Sequence, residues 1–320
     1  MRIVFCGTPA FTLPSLRRLI AQPDFSVEAV ITQPDRPRGR GQATASSPVK
    51  DAAIEAGIHV YQPEKIKSDS AHEFFKRVAP DVVVIIAYGQ IIPGHLLDIP
   101  RLGWINLHAS LLPRYRGAAP INWAIINGEA RTGLTTMKID AGLDTGPVLL
   151  RTDIEIGPDE TAPELTARMA ERGAPLMVET LRKLDRGEIT PVAQDNSQAT
   201  LAPPLKKEEG RIAWSHSAQK IYNRIRGLQP WPGTFTTFRR QLCHIWGKPA
   251  EAPETRLTPA LADHEESPGA IIVNENAILV GCGERTLLLI EAVRLEGRKR
   301  VTAREFVNGA RLRTGERFGD

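Results

Sequence analysis

Asp81-Val-Val-Val-Ile-Ile-Ala87 is the strongest β run in the chain. Three valines and two isoleucines without a polar break leave no face for water, so the segment reads as a strand buried on both sides. Its neighbours fit the same layer. Ile3-Val-Phe-Cys6, followed by Gly7-Thr-Pro-Ala, reads as a buried strand, a turn and a helix beginning near Pro9, and residues 27–31 as a second strand. Helical patterns fall between the strands over 13–21, 49–56 and 71–78. Strands alternating with helices predict an α/β domain with a mostly parallel sheet. Such sheets bind ligands at the carboxyl ends of their strands, here Gly7-Thr8, Gln33-Pro34 and Tyr88-Gly89.

The first strand–turn–helix is not a nucleotide site. A dinucleotide fingerprint needs three glycines so that backbone can approach a pyrophosphate, and Gly7-Thr-Pro-Ala-Phe-Thr has one. No Walker-type loop occurs either. Gln33-Pro-Asp-Arg-Pro-Arg-Gly-Arg-Gly-Gln42 instead reads as an exposed loop carrying Arg36, Arg38 and Arg40 with no acidic residue between them, which suits phosphate contacts. The three cysteines, Cys6, Cys243 and Cys282, are far apart and offer no metal-ligand spacing, so no metal is expected. They suit a reducing compartment. No apolar run approaches the ~18 residues of a membrane span, and the N-terminus enters a strand pattern with no secretory signature. A cytoplasmic protein is expected.

Asn106-Leu-His-Ala-Ser-Leu-Leu-Pro-Arg-Tyr-Arg-Gly-Ala-Ala-Pro120 concentrates an amide, an imidazole, a hydroxyl and two guanidiniums before a helix start. If Trp104-Ile-Asn-Leu-His108 is a strand, Asn106 and His108 share one face while Ile105 and Leu107 point to a core. A helix over 119–127 follows, then a strand through Leu134, Thr136 and Lys138. Asp140-Ala-Gly-Leu-Asp144-Thr-Gly reads as a tight turn, 148–156 as a returning strand, and 162–184 as a long helix. The first domain therefore closes near residue 188. Residues 189–205, polar and ending in Pro203-Pro204, read as a linker.

From 206 the character changes. Short strands are expected at 211–214, 234–239, 242–246, 269–273, 277–281 and 286–293, with a helix over 218–226. The last five of these strands suggest a small barrel, the oligonucleotide-binding type being one option. Lys206-Lys207 and Arg298-Lys299-Arg300 put basic clusters on it. Residues 1–199 hold 22 Lys+Arg against 23 Asp+Glu, whereas 200–320 hold 19 against 14. A basic second part beside a neutral first part points to a polyanion, most simply nucleic acid.

The Asn106–Pro120 stretch, continued by Ile-Asn-Trp-Ala-Ile, then by Thr132-Gly-Leu-Thr and Asp140-Ala-Gly-Leu-Asp144-Thr-Gly, resembles the 10-formyltetrahydrofolate-dependent formyltransferases. The likeness extends over nearly the whole chain. Gln33-Pro-Asp-Arg-Pro-Arg-Gly-Arg-Gly, Lys206-Lys-Glu-Glu-Gly-Arg-Ile-Ala-Trp and Pro230-Trp-Pro-Gly are similar to the branch that acts on charged initiator tRNA. The resemblance implies a Rossmann-like folate-binding domain at 1–188 and a tRNA-binding β-barrel at 206–320. It implies formyl transfer from 10-formyltetrahydrofolate to the α-amine of initiator Met-tRNA. Asn106, His108 and Asp144 would be catalytic. Ser110, Leu111, Leu112 and Pro113 match the segment lining the folate site, and Ile86, Ala87, Tyr88, Gly89 and Asp140 would wall the pterin. Arg36, Arg38 and Arg40 match the loop that meets the acceptor stem, with Lys206, Lys207, Arg298, Lys299 and Arg300 as further RNA contacts. Gln42-Ala-Thr-Ala is less basic than the resemblance leads one to expect. Nothing demands an interface, and a monomer is expected.

Two other classes compete. A formyltransferase for a nucleotide-linked amino sugar shares the Asn, His and Asp residues, but three loop arginines have little use against a small sugar. A non-catalytic RNA-binding protein needs only the basic regions, and it gives no reason to keep all three reactive groups. A glycinamide ribonucleotide formyltransferase fits less well, since the likeness there ends before residue 205.

Overall fold

The computed structural model describes residues 1–38, 43–251, 267–274 and 277–319. These form two compact units, one from 1–120, 131–155 and 164–203, the other from 121–130, 156–163 and the chain from 204 on.

The first unit is built on a seven-stranded sheet of order β5-β2-β1-β6-β7-β8-β9. Its strands are β1 (Arg2–Gly7), β2 (Ser26–Ile31), β5 (His59–Tyr61), β6 (Val82–Ile86), β7 (Trp104–His108), β8 (Arg131–Lys138) and β9 (Val148–Glu155). A short antiparallel pair, β3 (Arg36–Arg38) and β4 (Ala43–Ala45), stands apart from it. β5 through β7 run parallel, and β8 and β9 close the edge antiparallel. All five residues of β6 are buried, as an unbroken apolar run at the sheet's centre requires. Connecting helices cover the sheet: α1 (Leu13–Ile20), α2 (Pro48–Glu55), α3 (Asp69–Val78) and the short α4 (Gly94–Leu97). Ser47 and Ser68 cap α2 and α3 by accepting from Lys50 N and Ala71 N. One core gathers Val4, Cys6, Ile31, Phe74, Phe75, Val83, Ile85 and Trp104.

Helix α5 (Pro120–Ile126) opens at the boundary of the units, and α6 (Ala162–Asp185) is a single helix despite Pro175 within it. A Cβ on Gly173 of α6 would stand 2.5 Å from Leu107 Cδ2 of β7, so the leucine side chain fills the space that glycine leaves.

The second unit holds an antiparallel sheet of order β10-β11-β14-β13-β12, with β15 on β14. These are β10 (Phe235–Phe238), β11 (Gln241–Pro249), β12 (Ile271–Asn274), β13 (Ala277–Cys282), β14 (Thr286–Leu295) and β15 (Val301–Thr302). Helices α7 (Ala218–Gly227) and α8 (Ala303–Ala310) pack on it. The C-terminal segment joins the two edges. Gly315 N and Phe318 N donate to Ile271 O and Gly269 O, each at 2.9 Å, while Gly319 N donates to Thr237 O at 2.9 Å. Edge groups of both outer strands are thereby satisfied. The expected strand at 211–214 is not formed. Arg211 makes an isolated bridge to Phe235, and Trp214 donates Nε1 to Thr236 Oγ1 (3.1 Å) and stacks on Phe318 (5.7 Å). Helix α8 lay outside the sequence reading. Thr302 and Glu305 give it a capping box, two residues after the Arg298–Arg300 cluster.

Burial pushes the thiols of Cys243 and Cys282 up to about 12 and that of Cys6 well above its ordinary value. They serve as small apolar core residues.

Phe318 is 2% exposed and closes the sheet over Trp214. Phe318→Ala is expected to destabilise the second unit by about 3–5 kcal/mol, read by chemical denaturation followed through tryptophan fluorescence.

Candidate active site

Asn106 and His108 project from one face of β7, near its carboxyl end. His108 is buried and Asn106 half-buried, and among the described residues nothing hydrogen-bonds the Asn106 amide. His108 Nε2 lies 2.9 Å from Tyr115 O. A carbonyl only accepts, so Nε2 carries the proton. The other nitrogen, Nδ1, stands 3.6 Å from Asp144 Oδ2, close enough for attraction but beyond a direct hydrogen bond.

β8 runs antiparallel to β7, pairing Ile105 with Lys138 and His108 with Thr135. The chain therefore leaves β8 near the start of β7, and the turn after it must fold back along the sheet for Asp144 to reach His108. Several devices hold it there. Asp140 Oδ1 accepts from Gly142 N (3.0 Å) and Thr145 Oγ1 (2.7 Å), a tight turn of the kind aspartate favours. Gly146 lies so close to Lys138 O that any Cβ there would overlap it. Asp144 itself adopts φ 51°, and its Oδ2 accepts from Gly117 N at 2.9 Å. Gly117, at φ 123°, would carry a Cβ only 2.6 Å from Ala202 O, so glycine is needed for that donor to be presented.

Three consecutive residues thus serve the site. Tyr115 offers its carbonyl to His108, Gly117 its N–H to Asp144, and Arg116 between them is buried. Arg116 donates to Gln194 Oε1 from Nε (3.1 Å) and Nη2 (2.7 Å), and to Asn196 Oδ1 (2.8 Å). The Arg116 guanidinium is thus engaged by two side-chain amides within the site. The same backbone is tied to residues 200–202: Tyr115 N donates to Thr200 Oγ1 (2.8 Å), Arg116 N to Thr200 O (2.8 Å) and Ala202 N to Arg116 O (2.7 Å).

The segment 110–113 is placed by Thr135, which is wholly buried. Its Oγ1 donates to Ser110 O (2.7 Å) and accepts from Leu112 N (3.2 Å). Ser110 Oγ donates to Arg114 O (2.5 Å), while Leu112 packs with Met137 and Val148. Leu111 and Pro113 are half-buried. At the carboxyl end of β6, Ala87 and Gly89 are exposed with φ of 45° and 87°, turning backbone outward. Ile86 and Tyr88 are instead buried, and Tyr88 belongs to the core, where burial raises its hydroxyl's pKa. Both side chains pack inward, Ile86 at the end of β6 and Tyr88 just beyond it.

Of the arginine loop, Arg36 is exposed, and its base is anchored by Asp35. Hydrogen bonds from Lys50 first, then from Gln62 (2.8 Å), hold the Asp35 carboxyl below its ordinary range. Arg38 closes β3, and Arg40 lies outside the described residues. Lys206, Lys207, Arg298 and Lys299 are exposed on the second unit, and Arg300 lies over the Trp246 ring at 4.3 Å. Sequence reasoning missed Thr135, Gln194 and Thr200 at the site. Their partners are main-chain atoms or a distant guanidinium, which leave no local pattern.

Family models match both parts of the chain: formyl transferase over residues 1–181, and formyl transferase, C-terminal domain, over 204–311. The chain belongs to the formyl transferase family. The methionyl-tRNA formyltransferase of Solibacter usitatus is 53% identical over 320 residues, 100% of this chain and 99% of the relative. That of Koribacter versatilis is 48% identical with the same coverage. Within the family the chain therefore falls among the methionyl-tRNA formyltransferases. Among solved structures, WlaRD, a sugar 3N-formyl transferase determined in the presence of dTDP and 5-N-formyl-THF, superposes with a TM-score of 0.65 at 16% identity. The match covers 93% of this chain and 99% of that one, and it is a likeness of fold.

Thr135→Val keeps the shape but strands a buried carbonyl and N–H. It is expected to lose about 2–3 kcal/mol of stability in chemical denaturation.

Proposed function

We propose that this enzyme transfers the formyl group of 10-formyltetrahydrofolate to the α-amine of the methionyl group on initiator Met-tRNA, giving N-formylmethionyl-tRNA. The observation that carries the chemistry is Asp144 Oδ2 at 3.6 Å from His108 Nδ1, with the Asn106 amide two residues away on the same strand face. The close relatives' shared name supports the acceptor.

The amine nitrogen attacks the formyl carbon, a C–N bond forms, and the carbonyl oxygen gathers negative charge in a tetrahedral intermediate. The Asn106 amide and, when protonated at Nδ1, His108 are donors suited to that oxygen. A free α-amine titrates near ~8, so a useful fraction is neutral around pH 7. Asp144 takes the proton released by the amine, directly or through water. Collapse of the intermediate breaks the bond to the folate nitrogen, which leaves protonated. The net transfer exchanges one formyl group for one proton.

In this reading residues 1–188 carry catalysis, the connecting stretch 189–205 supports the site through Gln194, Asn196 and Thr200, and 206–320 hold tRNA. Ser110–Pro113 and Ile86–Gly89, with Asp140, form the folate site mainly through backbone, given the burial of Ile86 and Tyr88. Arg36, Arg38 and Arg40 meet the acceptor stem, and Lys206, Lys207, Arg298, Lys299 and Arg300 meet phosphates elsewhere. Among the described residues no helix is long and apolar enough to cross a membrane. A cytoplasmic monomer is the form proposed.

His108→Ala is expected to lower kcat for formyl transfer to charged initiator tRNA by about 10²–10³, with tRNA affinity kept. No transfer by the wild type overturns the reading, and equal rates in both proteins remove His108 from the chemistry.

A further inference from the structure

Gln194 joins two parts of the site that nothing else on its segment connects. Its Nε2 donates to Asp144 O at 2.8 Å and to Gly146 O at 2.7 Å, and its Oε1 accepts both Nε and Nη2 of buried Arg116. The amide thus spans from the Asp144 turn to the residue between the two backbone groups that meet His108 and Asp144. All four of its bonds are directional, and both ends are used. The turn needs such a hold: Asp144 sits at φ 51°, a conformation that non-glycine residues adopt at a cost, and Leu143 beside it is exposed.

We propose that Gln194 is a positioning residue for Asp144. Its amide NH2 fixes the left-handed turn so that the carboxylate reaches His108 and Gly117 N together, and Arg116 orients the amide by occupying its oxygen. Gln194 touches no reacting atom. The inference rests on the proposed catalytic role of Asp144 and assigns that role's support.

The two ends of the amide can be separated chemically. Gln194→Glu keeps an acceptor for Arg116 but turns an oxygen toward two carbonyls in place of the donor. A residue that merely anchors Arg116 tolerates glutamate, whereas a residue that donates to the turn does not. The test measures kcat and KM for formyl transfer from 10-formyltetrahydrofolate to charged initiator tRNA in Gln194→Ala, Gln194→Glu, Asp144→Ala and the two double variants with Asp144→Ala. Thermal melting serves as the check on folding. The expected result is a kcat about 10–100-fold lower in both Gln194 single variants, with each KM within about threefold of wild type. In the Asp144→Ala background removing Gln194 costs nothing further, because it acts through Asp144.

Gln194→Glu at wild-type activity, or Gln194→Ala within twofold of it, overturns the proposal. So does a loss that multiplies that of Asp144→Ala, the mark of a general structural role. Should Gln194→Ala melt out, Gln194→Glu, which keeps the Arg116 bond, decides by the same criteria. Asp144→Ala at full activity strikes instead at the catalytic reading on which the inference rests.

Discussion

The site depends on one carboxylate held in an unfavourable backbone conformation beside a buried imidazole. Asp144 and His108 lie on parts of the chain 36 positions apart, and the strand order alone would leave them separated, since β8 carries the chain away from the end of β7 that bears His108. What brings them together is the main chain of Tyr115–Gly117. Its carbonyl meets the ring from one side and its N–H meets the carboxylate from the other. Both partners are groups that every residue possesses, so the constraint falls on conformation: glycine at 117, and neighbours that hold the segment in place.

That segment is fixed by buried polar contacts. Arg116 is 6% exposed, and its guanidinium is met by the amide oxygens of Gln194 and Asn196. Thr135 satisfies a carbonyl and an N–H of the adjoining loop with one hydroxyl. Left unpaired at such depth, each of these groups would cost about 1–3 kcal/mol or more, so the arrangement tolerates few alternatives. The parallel sheet beneath supplies rigidity. β7 is paired on both sides, with α6 pressed against it at Gly173, so the Cα positions of Asn106 and His108 have little freedom.

Much of this is legible in the sequence because it follows from periodicity. The valine–isoleucine run of β6 fixes a sheet centre, and the alternation in Trp104-Ile-Asn-Leu-His108 puts Asn106 and His108 on one face. Periodicity does not set the exposure of residues at a strand end: Ile86 and Tyr88 are buried while Ala87 and Gly89 between and beside them are exposed. The role expected of Asp144 rests on the family likeness alone, because its turn reads as ordinary aspartate–glycine chemistry. Gln194 and Thr200 sit in polar sequence without periodicity, and their partners at Asp144 and Tyr115 are 50 and 85 residues away. Contacts of that range leave no local trace. The C-terminal segment is similar: Phe318 completes a core that includes Ile212, Trp214 and Phe238, some 80 or more residues upstream.

The claim at the centre is that Asp144 acts by its charge beside His108 and not by filling its turn. Asp144→Asn separates the two, since asparagine tolerates the left-handed conformation and can still accept from Gly117 N. The measurement is single-turnover formyl transfer to charged initiator tRNA by wild type and Asp144→Asn, with both substrates saturating. The account predicts a rate at least about 100-fold lower in the variant, with melting behaviour unchanged. A rate equal to that of the wild type would contradict it.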